Sequence, residues 1–127
     1  MLRNLIWVGL GGAFGSMARY AINLLVTTRG IFTFPIGTFL VNITGCFIIG
    51  LLFGVAERYQ WMQGSLLIFL ATGFCGGFTT FSTFALENVG LFNKQHSFTG
   101  ILYSLLSVVL GIVLCRAGFL MIKPLGS

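Results

Sequence analysis

Residues 73–84 read GFCGGFTTFSTF, inside a stretch otherwise apolar enough to cross a membrane. Leu, Ile and Val would fill a lipid-facing helix. Here Gly73, Gly76 and Gly77 are followed by the hydroxyls of Thr79, Thr80, Ser82 and Thr83, with Phe81 and Phe84 among them. Glycine weakens a helix because its backbone has the most freedom to lose. Non-helical backbone at membrane depth survives only when buried in protein or lining a watery cavity. The run therefore predicts a span broken near residues 73–79. Carbonyls freed by a break suit a hard cation, and the helix that restarts presents N–H groups that favour an anion. Past the break, Thr80, Thr83 and Glu87 share a stripe, with Phe81 and Phe84 one turn apart beside it. Hydroxyls donate to anions, and aromatic rings have an electropositive edge. The plainer reading makes the rings packing groups and the hydroxyls partners of the preceding turn; the broken helix favours the ion reading.

Working outward, the 127 residues are 57% hydrophobic and 7% charged, with a mean hydropathy of +1.01. Soluble domains carry about 25% charged residues, so the chain reads as an all-α integral membrane protein, one domain over residues 1–127 with no soluble appendage. Four stretches reach the roughly 20 apolar residues that a spanning helix needs: 4–26, 36–56, 65–92 and 98–121. The first is too long for a removable signal peptide. Short polar connectors predict an up-down-up-down bundle, and Pro35 suits the first turn of the second helix. The net charge of +5 is scattered over Arg3, Arg19, Arg29, Arg58, Lys94, Arg116 and Lys123, which argues against nucleic acid. Assigned to the two membrane faces, these residues divide four against three. So slight a bias is compatible with one orientation, termini cytoplasmic, or with insertion both ways and an antiparallel dimer.

Cys46, Cys75 and Cys115 lie in apolar runs without metal-ligand spacing and read as small buried hydrophobes. His96 has no partner nearby in sequence, so a zinc site is not expected. The pairs Gly11/Gly15 and Gly50/Gly54 are GxxxG spacings for close helix contact. GLGGAFG fails as a dinucleotide fingerprint, because Phe14 stands where the third glycine belongs and no strand precedes it.

The polar residues inside the spans are few. Arg19 lies about two turns from its connector, placed either to snorkel as an anchor or to attract anions. Thr38, Asn42 and Gly45 share a face of the second helix; a mid-membrane amide needs a partner, and Asn42 serves either as a bridge between helices or as a donor to an ion in transit. Tyr103, Ser104 and Ser107 form a patch on the fourth. Glu87 is the one carboxylate placed within a span. Nothing here forms a catalytic triad, a carboxylate pair or a phosphate loop, so the chain is not expected to be an enzyme.

GGAFGSMARY, GTFLVNITGCFIIG and above all GFCGGFTTFSTF resemble the Fluc/CrcB family of bacterial fluoride channels, and the likeness extends over essentially the whole chain. The resemblance implies a dual-topology antiparallel homodimer in the bacterial cytoplasmic (inner) membrane, passing fluoride down its gradient through two pores. It also implies a structural sodium ion at the dimer centre, held by the backbone carbonyls of Gly76 and Thr79 of each subunit. By position it places Asn42, Phe81, Ser82, Thr83, Phe84, Tyr103 and Ser107 along the fluoride route. Arg19, Thr38, Thr80 and Glu87 remain open between route and scaffold. A small four-helix multidrug antiporter is the main rival; such exchangers carry a carboxylate in the first helix, where this chain has Arg19. A non-conducting assembly subunit is the other.

Overall fold

The computed structural model describes residues 1–29 and 33–122. Lys123, the side chain of Arg29 and the middle of the first connector, all used in the charge and topology reading, lie outside the described residues. The described chain is helical: α1 (Leu2–Arg29), α2 (Ile36–Arg58), a 3₁₀ turn at Gln60–Met62, α3 (65–78), α4 (Phe81–Asn93) and α5 (Ser97–Ile122). α3 is composite, opening as Ser65–Leu67, widening to a π-helix over Ile68–Cys75 and closing as Gly76–Phe78. With α3 and α4 taken together, four helical spans are long and apolar enough to cross a membrane. The 23 residues of α2 rise about 35 Å at 1.5 Å each, against a hydrocarbon core of about 30 Å. At most 28% of any span's most apolar window is buried within the chain. Helices apolar on all sides and so little covered need lipid or another subunit around them.

The helices pair as α1 with α3 and α2 with α5. Both pairings rest on glycine. A methyl group at Gly11 or Gly15 would overlap the carbonyl oxygens of Phe69 and Phe74 in α3, and one at Gly50 would overlap that of Cys115 in α5. In lipid no hydrophobic force drives helices together, so backbone approach of this kind supplies the packing.

The structure moves the predicted interruption. Gly73 lies in the π-helix, and Gly76 and Gly77 in the turn after it; all three are helical. A methyl on Gly73 would meet Gly11 Cα at 2.9 Å, and one on Gly77 the Gly12 carbonyl at 2.6 Å. These two glycines admit α1 rather than unwind α3. Within the third span, extended backbone is confined to Thr79 (φ −87°, ψ 158°) and Thr80 (φ −151°, ψ 121°). Pro35 also stands one position earlier than expected, as the residue capping α2.

α4 ends in a Schellman motif. The His96 N–H donates to the Leu91 carbonyl at 2.8 Å and the Gln95 N–H to Phe92 at 3.2 Å. Gln95 holds the left-handed position at φ 62°, where glycine is usual.

Candidate functional site

The Thr79–Thr80 interruption is stitched to the rest of the bundle by side chains. Asn42 of α2 treats Thr80 as a strand would: its Nδ2 donates to the Thr80 carbonyl at 3.1 Å, and the Thr80 N–H donates to its Oδ1 at 2.8 Å. A backbone N–H can only donate and a carbonyl only accept, so this pair fixes the amide's orientation. One N–H of the Asn42 amide is left for another acceptor. The Thr79 N–H and hydroxyl both donate to the Cys75 carbonyl, each at 3.0 Å. Thr80 caps α4 by accepting from the Thr83 N–H at 3.2 Å. Arg19 reaches across from α1, its Nε donating to the Gly77 carbonyl at 3.0 Å. That contact ties Arg19 to the backbone of the third span.

These bonds divert donors. In a continuous helix the Thr80 N–H would close on the Gly76 carbonyl and the Thr83 N–H on that of Thr79. Both are committed elsewhere, to Asn42 and to the Thr80 hydroxyl.

Asn42, Gly76, Thr79, Thr80, Phe81, Phe84 and Ser107 meet around one cavity of about 570 Å³. The Phe81 and Phe84 ring centroids are 5.8 Å apart with planes tilted by 39°. Phe81 is 78% exposed, far too much for a packing residue within this chain. No charged side chain is among the residues lining the cavity. Ser107 Oγ is buried and has no hydrogen-bond partner among the described residues. With nothing holding it, a rotation about χ1 between staggered wells can turn this hydroxyl along the wall.

A second cluster lies behind Phe84, whose ring is 4.9 Å from that of Tyr103. Tyr103, fully buried, donates to Glu87 Oε1 at 2.8 Å, and Thr38, 1% exposed, donates to Glu87 Oε2 at 2.9 Å. The three residues bridge α2, α4 and α5. Each oxygen of the Glu87 carboxyl thus meets one hydroxyl, from a different helix.

Other sequence candidates fall away from the cavity. Ser82 is exposed, 3.4 Å from the Thr80 hydroxyl, and Thr83 contributes its backbone to the cap. Ser104, grouped by sequence with Tyr103 and Ser107, instead donates to the Gly100 carbonyl at 2.9 Å, with Asn88 Oδ1 at 3.2 Å. Sequence reasoning missed Thr72, Cys46 and Cys75, which also line the cavity. Thr72 was findable: it precedes Gly76 and Thr79 by i+4 and i+7, so a stripe traced backward from the glycines meets it.

Residues 6–119 match the family described as CrcB-like protein, Camphor Resistance (CrcB). The chain is similar to a protein of Azobacteroides pseudotrichonymphae named "Fluoride-specific ion channel FluC", at 40% identity over 95% of this chain and 97% of the relative. A protein of the same name from Ignicoccus hospitalis is 41% identical over 92% and 93%. One from Desulfotalea psychrophila is 44% identical over 91% and 89%. These names are those of ion channels and not of enzymes, in keeping with a site that holds amides, hydroxyls and aromatic rings. A helical chain with four membrane-length spans, matched over residues 6–119 and at this identity to relatives of its own length, belongs to the CrcB family.

Proposed function

We propose that this chain is a fluoride channel that lets fluoride leave the bacterial cytoplasm down its gradient, working as an antiparallel, dual-topology homodimer in the inner membrane with two pores. The names of its relatives support the ion. The observation that carries the reading is the cavity itself: an aromatic pair, an amide with one N–H to spare and an unpartnered hydroxyl, with no fixed charge in the wall. A full positive charge would hold a small anion too long for conduction, which requires binding strong enough to enter and weak enough to leave. Ring edges of Phe81 and Phe84, the Asn42 amide and the Ser107 hydroxyl supply graded, neutral attraction. Ser82 and Thr83 extend the donor track beyond the cavity, and Tyr103 continues it behind Phe84. The 78% exposure of Phe81 supports a second subunit as its cover, and the near-even charge division supports insertion in both orientations.

A structural sodium ion belongs to the same proposal. Gly76 and Thr79 would hold it through carbonyl oxygens whose usual helical donors are committed elsewhere; bound there, it would tie the subunits together. Carbonyl oxygen is a suitable ligand for such a hard cation. Arg19 occupies the neighbouring Gly77 carbonyl, keeping that oxygen out of the set.

The test is efflux from liposomes containing the purified chain, loaded with fluoride or with chloride and read by ion-selective electrodes. Rapid fluoride loss without chloride loss and without a proton gradient is expected. Release that depends on an opposing proton gradient would identify an exchanger, and absence of release a non-conducting subunit.

A further inference from the structure

A second cavity, of about 400 Å³, lies where α4 turns into α5 beside the start of α2; Pro35, Glu87, Gly90, Lys94 and His96 are among its lining residues. We propose that it is a mouth that collects a small inorganic anion, and that a proton on His96 strengthens its pull. The inference rests on the channel reading above.

The placement carries it. Glu87 lines this cavity and receives the Tyr103 hydroxyl; the Tyr103 ring touches Phe84, which lines the first cavity. Three residues thus connect the mouth with the anion track. Lys94 and His96 stand exposed at its rim, and the Schellman motif fixes His96 there through its own N–H.

Charge balance sets the sign. Among the described residues lining the cavity, the ionisable ones are Glu87 and Lys94 of α4 and its cap, and His96 of the turn. The connector before α2 adds Thr33 and Pro35, which do not ionise. Thr38 of α2 and Tyr103 of α5 reach the cavity only through Glu87. With a neutral imidazole, Lys94 and the Glu87 carboxylate cancel. Histidine is the side chain that ordinarily changes charge between pH 5 and 8. Its proton turns a balanced cavity into a net positive one, so anion entry rises as pH falls. A unit charge at a wet, screened rim changes local anion occupancy by about two- to threefold. Sequence reading left His96 as an unpartnered loop residue, because only the fold brings it above Glu87.

The experiment measures fluoride efflux from liposomes containing the full chain, with equal pH inside and out, at pH 7.5 and 5.5. Leak of undissociated acid through protein-free vesicles is subtracted. The wild type is expected to run about two- to threefold faster at pH 5.5, and His96→Gln to give equal rates at the two values. His96→Arg carries its charge at both and is expected to be fast and flat, while Lys94→Gln slows both rates and keeps their ratio. A wild-type rate indifferent to pH, or a pH response that survives in His96→Gln, overturns the mouth while leaving the channel standing. Absence of any protein-dependent fluoride flux removes the channel reading, and the mouth with it.

Discussion

Replacing Ser107 with alanine separates stability from transport. The hydroxyl is buried and has no partner among the described residues, and leaving such a group unsatisfied costs about 1–3 kcal/mol. Alanine removes the group and adds a few tenths of a kcal/mol in helix propensity. Ser107→Ala is therefore expected to make the folded protein more stable, by about 1–3 kcal/mol, and to lose transport. A hydroxyl donating to a charged acceptor contributes about 1.5–3 kcal/mol. If that bond forms with fluoride as it passes, its loss corresponds to a drop of roughly 10- to 150-fold in flux. Thermal unfolding in detergent and fluoride efflux from liposomes, on the same preparation, read both quantities. A purely structural serine gives the opposite pattern. Destabilisation by more than 1 kcal/mol with flux intact would show the hydroxyl bonded within the assembled protein and refute its assignment to the anion route.

Other substitutions probe the remaining parts. Phe81→Ile should cut fluoride flux severely at little cost to the single chain's stability, because Phe81 is 78% exposed; full flux in both Phe81→Ile and Phe84→Ile would remove the ring-edge role. Asn42→Ala strands the Thr80 N–H and removes one of two bonds to the Thr80 carbonyl, for a loss of about 1–3 kcal/mol by thermal unfolding; an unchanged melting temperature would show that the bonds do not matter to the fold. Gly15→Val drives a side chain into the Phe74 carbonyl and should abolish folded protein on size exclusion. Gly76→Ala meets nothing within 4 Å and should fold, so any loss of flux or of sodium-dependent dimer stability in that variant reports on the carbonyl site rather than on packing.

The four spans were legible because length and hydropathy decide them locally, and Gly11, Gly15, Gly50 and Gly54 because GxxxG spacing reports close approach directly. The glycines of the third span misled for an instructive reason. Composition says that Gly73 and Gly77 lack side chains, but not whether that freedom is used to unwind or to admit a neighbour. Here α1 fills the space, and the backbone extends two residues past Gly77, at Thr79 and Thr80. The bonds that hold this conformation join residues 38 and 58 positions apart, Asn42 with Thr80 and Arg19 with Gly77. Periodicity along one helix carries no record of such partners. Thr38 and Glu87 were visible as polar residues within spans, yet their meeting with Tyr103 required α2, α4 and α5 to be packed first. Ser104 and Ser107 show the converse: neighbours in the sequence pattern, one satisfied by its own helix and the other left without a bond among the described residues.

The account's central claim is passive, fluoride-selective conduction. Its most direct measurement is the reversal potential of the current carried by this chain in a planar bilayer, with a tenfold fluoride gradient and equal chloride on both sides. Selective passive flow places the reversal about 59 mV from zero, the potential of a tenfold ratio for a monovalent ion, and holds it there when a pH gradient is added. Reversal at zero, or a reversal potential that follows the pH gradient, would contradict the claim.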